Sequence, residues 1–283
     1  MPLISLVLFI LVMACGAKKS DLKSSGNMWV HPSEVLSASI VLVMSPKGGY
    51  CSGTLIEDSL DETSALVLTA AHCVENDNKA GKNHYFVRLG NRPAYLNSEE
   101  KAYQEKIEVS DYVTTPTIPY IKLQFLVGND LALLRLKHRP KLPQKYFLPL
   151  IKGSDKELKY DQVWASGYGY TYPGITLKKY PRKVFAYSKI MNLLWISSLL
   201  GNIIPGDSGG PLLVRNEEGH YEVLGVNSFG TVLFRKVPLS LTAVVDVRTK
   251  EPWLICAKEF LKTKEVKTND HCQSKDFKYV AMD

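Results

Sequence analysis

Gly206-Asp207-Ser208-Gly209-Gly210-Pro211 is the stretch on which the reading of this chain turns. A serine set among glycines, with an acid directly before it, suits a tight loop that leaves the hydroxyl free. Backbone N–H groups can converge beside such a hydroxyl, as acyl-transfer chemistry requires. On its own the stretch also fits a Gly-rich hairpin carrying an exposed serine. The surrounding sequence separates the two.

Working outward, Pro211 to Val214, Val223 to Gly230 and Leu241 to Val247 read as strands. Upstream, Ile40 to Met44, Tyr50 to Ile56, Ala65 to Thr69, Tyr85 to Leu89, Lys106 to Val109, Leu131 to Leu136 and Gln162 to Gly169 carry the same β-branched and apolar pattern. Val184 to Ile196 alternates well enough for one or two more. Pro46-Lys47-Gly48-Gly49 is a turn, and Pro140, Pro143 and Pro149 mark a connector. Only Pro252 to Leu261 has helical spacing, with proline in the first turn. Many short strands with Gly/Pro punctuation and one late helix predict an all-β barrel architecture.

The chain has 283 residues, enough for one large all-β unit or two domains. At 45% hydrophobic and 22% charged it is ordinary for a globular protein, which excludes fibrous and disordered classes. The net charge of +7 is spread widely, so a nucleic-acid partner is not expected. The densest basic group, Lys178-Lys179-Tyr180-Pro181-Arg182-Lys183, reads as a solvated loop. The cysteines lack zinc-ligand spacing and no phosphate-cradling motif occurs, so no metal or cofactor is implied.

Residues 2–14 are almost all apolar, too short for a comfortable span but fitting the core of a secretory signal. Ala14-Cys15-Gly16 at its end resembles the lipobox of bacterial lipoproteins. That resemblance implies cleavage before Cys15, lipid on its thiol, and membrane anchoring, with Gly16 implying outer-membrane retention. The alternative is a signal peptide removed whole. Five cysteines leave one over in an exported protein. Cys15 would use the odd one, leaving Cys51 with Cys73 and Cys256 with Cys272 as disulfides. The expected organisation is signal 1–14, tether 15–35, first barrel 36–140, connector 141–155, second barrel 156–250, and helix and tail 251–283.

Three stretches stand together: Thr69-Ala70-Ala71-His72-Cys73, Asn129-Asp130-Leu131-Ala132-Leu133-Leu134, and the Ser208 loop. In this order they resemble the signature segments of the chymotrypsin/trypsin family of serine endopeptidases. Cys51 to Ile56, Ala165 to Gly169, Val226 to Gly230 and the helix through Trp253 match as well, so the resemblance covers roughly residues 36 to 262. It implies two Greek-key six-stranded barrels packed face to face, with a C-terminal helix. It also implies Ser208 as nucleophile, His72 as general base and acid, Asp130 as the group that orients His72, and the N–H groups of Gly206 and Ser208 as oxyanion hole. The partner would be a protein or peptide substrate. His31, His84, His138, His220 and His271 lie outside these segments and read as structural.

Two features depart from the family. Its members bury a freed Ile or Val amine against the acid that matches Asp207. No Ile-Val-Gly-Gly or close relative lies between Cys15 and Ser39, and the nearest apolar candidate is Met28-Trp29-Val30. Buried charge must be paired, so Asp207 needs a cation from a Lys or Arg, from a partner, or from an atypical cut. The specificity pocket, expected to have Asn202 at its base and Ser228, Phe229 and Gly230 along a wall, lacks an acid. This predicts preference for a neutral residue. Two other readings of the same chain are a catalytically silent surface binding module and an esterase using the same triad.

Overall fold

The computed structural model describes residues 28–30, 33–57, 63–75, 84–90, 105–116, 128–153, 163–171, 174–175, 177–188, 192–198, 203–232, 240–265 and 278–282. The expected signal segment, Cys15, Asn202, Cys272, His31 and His271 lie outside these. The first barrel is built from β2 (Ile40–Met44), β3 (Tyr50–Ile56), β4 (Leu66–Thr69), β5 (Phe86–Arg88), β6 (Lys106–Thr114) and β7 (Ala132–Leu136). Their order is β6-β5-β2-β3-β4-β7, and β6 also pairs with β7, which closes the ring. The second uses β8 (Val163–Gly167), β11 (Lys178–Ser188), β12 (Leu193–Ser198), β13 (Pro211–Arg215), β14 (Tyr221–Val232) and β15 (Ser240–Asp246). They run β11-β12-β15-β14-β13-β8, and a β11–β8 pairing closes that ring too. A small hairpin, β9 (Tyr170–Thr171) and β10 (Gly174–Ile175), follows β8. This is the trypsin-type arrangement that the sequence predicted.

The strands read as near-continuous apolar runs because both of their faces are buried. Side chains alternate across a strand, so one run feeds two cores. In β2, Val41 and Val43 enter the interior of the first barrel, while Ile40 and Leu42 face the other way. Likewise Val67 of β4 points inward, whereas Leu66 and Leu68 point outward. The outward set joins one continuous cluster with Val163, Leu212, Val226 and Val245 of the second barrel. The two barrels therefore share a core where they meet.

The C-terminal helix, Glu251–Thr263, sets Trp253, Leu254, Ala257, Phe260 and Leu261 into that shared cluster. Arg135 of β7 donates to Leu261 O at 2.9 Å, satisfying a carbonyl in the helix's last turn. Beyond the helix the expected polar tail contains a strand, β16 (Lys278–Ala281), which pairs with β6. Tyr279 of β16 packs edge-on against Phe260, with centroids 4.8 Å apart. Its alternation is weak because the strand sits at the sheet edge, with three of its four residues exposed.

Two sequence expectations are corrected. The end of the expected tether is packed: β1 (Met28–Trp29) pairs with β11, and Val30 is buried with its N–H donating to Leu177 O. The basic group at 178–183 is not a solvated loop but the start of β11, with Lys178, Lys179 and Arg182 all buried. Long aliphatic stems allow this when the charged ends meet carboxylates. Lys179 pairs with Glu34, while Lys178 and Arg182 act on Asp207.

Candidate active site

His72 opens a single helical turn, His72–Glu75, directly after β4 and the buried Ala70-Ala71. A Cys51–Cys73 disulfide, Cα–Cα 6.0 Å, ties that turn to β3 as expected. Cys256 is also disulfide-bonded, to a partner outside the described residues. Asp130 sits at the entrance to β7, behind Gly128, whose φ of +61° makes the turn. Its neighbour Asn129 accepts from Lys250 Nζ at 2.8 Å.

Asp130 is 2% exposed. One carboxylate oxygen accepts the His72 backbone N–H at 2.9 Å, and the other accepts His72 Nδ1–H at 2.7 Å and the Ser228 hydroxyl. Burial pushes its carboxyl up, but the His72 and Ser228 donors outweigh this and hold it below its ordinary value. For His72, burial pulls the imidazole down. The Asp130 hydrogen bond and charge, with help from Glu75, outweigh that and hold it above 6.5. The His72 side chain stays 40% exposed on its open side, where Nε2 lies 3.8 Å from Cys73 Sγ. Cys51, His72 and Cys73 thus cluster closely enough to suggest a metal site, but both sulfurs are spent in the disulfide.

Ser228, expected on the pocket wall, reaches Asp130 because of a bulge. On β14, Asn227 pairs with Val244 and Phe229 with Ala243, so Ser228 is the extra residue. A bulge re-aims a side chain. No pattern in the sequence marks that register shift.

Ser208 lies on the turn between Ile204 and β13, half-buried. Asp207 N–H donates to Ile204 O at 2.9 Å, Gly210 N–H to Asp207 O at 3.1 Å, and Gly209 N–H to Asn227 O at 2.8 Å. Two glycines have backbone that other residues resist: φ is +99° at Gly206 and +79° at Gly209. A Cβ on Gly209 would stand 2.1 Å from Thr69 Oγ1, which shows how closely the serine loop meets the strand before His72. Among the described residues, the N–H groups of Gly206 and Ser208 have no assigned acceptor.

Ser52 of β3 joins the two halves, a role that the sequence did not single out. Its N–H donates to Ser208 O at 2.8 Å and its hydroxyl to Gly206 O at 2.7 Å. The same hydroxyl accepts Tyr168 N–H at 2.8 Å, and Ser52 O accepts from Thr69 Oγ1 at 2.7 Å. A serine in the middle of a strand that is buried from Ser52 to Ile56 was the available signal.

Asp207 is fully buried. Its oxygens accept Gly169 N–H at 2.7 Å and Ile204 N–H at 3.1 Å. Burial pushes its carboxyl up to about 6, against the pull of these bonds and of the Lys178 and Arg182 charges. Of the expected pocket residues, Phe229 and Gly230 are exposed beside Ile203. A Cβ on Gly230 would meet Ile203 O at 3.4 Å and Thr242 Oγ1 at 3.5 Å. His84, His138 and His220 pair with the carboxylates of Glu108, Glu105 and Glu218, away from these loops. Among the described residues no helix is long and apolar enough to cross a membrane.

A family model described as Trypsin matches residues 30–254. The chain is also similar to chymotrypsin-C from Bos taurus, 28% identical over 202 residues that cover 65% of this chain and 68% of that protein. The strand order, the paired His72 and Asp130, and the serine loop between β12 and β13 all fall inside the matched region. The chain belongs to the trypsin family of serine proteases.

Proposed function

We propose that this protein is a serine endopeptidase that cleaves through Ser208, His72 and Asp130. Asp130 takes the proton side of His72 Nδ1, which leaves the Nε2 lone pair as the base. Ser208 Oγ attacks the scissile carbonyl carbon as its proton passes to Nε2. The resulting oxyanion accepts the N–H groups of Gly206 and Ser208. His72 then returns the proton to the leaving amine, and the acyl group stays on Ser208. Water, deprotonated by His72, releases the acid and restores the serine.

The observation that carries this reading is the buried carboxylate of Asp130 against Nδ1 of a half-exposed imidazole, beside a serine loop with two unspent N–H groups. Asn202 at the expected pocket base carries no charge, and neither do Ile203 and Thr242 beside Gly230 of the expected wall, which favours a neutral side chain before the cleaved bond. A peptide library tests that preference, and strong cleavage after Arg or Lys would overturn it. A fluorophosphonate is expected to label the wild type and not Ser208→Ala. Casein cleavage should fall by about 10⁶ in that variant. Labelling with ester but no peptide hydrolysis would make the protein an esterase, and no labelling would make it a silent binding module. Export, with lipid on Cys15 as anchor, fits the disulfides and the apolar leader. Mass spectrometry of the membrane fraction tests it.

A further inference from the structure

Asp207 needs a cation, and the sheet beneath it supplies one. Lys178 of β11 pairs directly opposite Gly167 of β8. Residues opposite one another in an antiparallel pair project from the same face. Gly167 shows where that face looks: a Cβ there would stand 2.6 Å from Asp207 Oδ1 and 2.9 Å from Asp207 Cα. The Lys178 side chain therefore leaves the sheet on the side where Asp207 lies. Arg182 follows on the same face at even spacing, with Tyr180 between them. Lys178 is 1% exposed and Arg182 3%, so neither charge is dissolved in water. A lysine is buried this deeply only where an anion answers it.

The titratable groups around Asp207 come from two strands. Lys178 and Arg182 face it from β11, the Tyr180 phenol from the same strand, and the Tyr50 phenol from β3. Burial works to discharge the Lys178 amine while Asp207 works to keep it charged, and Lys178 lowers the Asp207 carboxyl in return. The two backbone donors from Gly169 and Ile204 fix the direction of the carboxylate.

We propose that Lys178, supported by Arg182, is the internal counter-cation of Asp207 and a positioning residue that holds the Ile204–Gly209 loop with the Gly206 and Ser208 N–H groups turned to the substrate carbonyl. This rests on the protease reading of Ser208. The cation comes from within the second barrel, so the loop keeps its shape without an amine freed by cleavage.

The test uses the full chain and the rate at which a fluorophosphonate labels Ser208, alongside casein turnover and thermal melts. Lys178→Met is expected to slow labelling by about 10²-fold, the loss of an oxyanion donor's worth, with KM little changed. Lys178→Arg should recover most of that rate. It should also carry the alkaline limb of activity to higher pH, because a guanidinium keeps its proton where an amine loses it. A thermal cycle reads the pair even if Lys178→Met folds poorly or the wild type proves inactive. The fall in Tm from Lys178→Met should shrink in an Asp207→Asn background. Wild-type labelling by Lys178→Met, an alkaline limb unmoved by Lys178→Arg, additive Tm losses, or labelling confined to molecules cut just before Met28 would each overturn the proposal. Failure of the wild type to label at all sinks the protease reading instead, and the thermal cycle still decides the pair.

Discussion

Asp130 and Asp207 are both buried carboxylates, and they end on opposite sides of their ordinary value. Burial penalises both. Asp130 faces an imidazole, a hydroxyl and a backbone N–H, each within direct hydrogen-bond reach. Asp207 has two backbone N–H groups, and its cations act on it through charge from β11. What separates them is the donors at contact, not the depth of burial. One carboxylate is held as an anion against the His72 imidazole. The other is pushed up to about 6 by its burial.

The largest expected break in this comparison is Asp130→Asn. With the amide in place the His72 tautomer is no longer imposed, and kcat should fall by about 10⁴. The acid limb of kcat/KM, which in the wild type should lie above 6.5 because His72 must lose its proton to act as base, should move down. Kinetics from pH 5 to 8 check both, and an unmoved limb would separate Asp130 from His72.

Asp207 should show itself in stability. Its folded carboxyl holds a proton up to about 6, while the unfolded one releases it near 3.8. The folded state therefore binds more protons between those values, and stability falls as pH rises through that window. Relative to Asp207→Asn, the wild type should lose on the order of 3 kcal/mol between about pH 4 and 6. Urea unfolding at several pH values measures it, and parallel curves would mean that Asp207 is not shifted.

Removing the Cys51–Cys73 bond by double substitution should cost about 2–4 kcal/mol, read by the same method. It should also loosen the His72 turn and lower kcat at temperatures where the protein is still folded. Ser228→Ala should have the smallest effect. Losing one of several donors to Asp130 should lower kcat about tenfold, in line with about 1.5 kcal/mol for a hydrogen bond to a charged group.

Much of the fold was legible in sequence because apolar strand runs, Gly/Pro punctuation and the three motif segments are local signals. The closed rings follow from them once the order of strands is known. What escaped was non-local. Lys178, Lys179 and Arg182 look like a solvated run until the carboxylates that receive them are placed by other strands. Ser228 sits on a bulge whose existence depends on β15, not on its own neighbours. Ser52 shows only as an odd polar residue, since its partners are more than a hundred positions away in Gly206, Ser208 and Tyr168. β16 lacks apolar alternation because an edge strand needs little of it.

Ser52 has a further consequence, for the order in which the protein matures. The carbonyls of Gly206 and Ser208 are anchored to a residue of the first barrel, so the serine loop is braced from both barrels and takes its full set of hydrogen bonds only when they meet. During synthesis the first barrel emerges well ahead of that loop, and the site stays unassembled until the two dock.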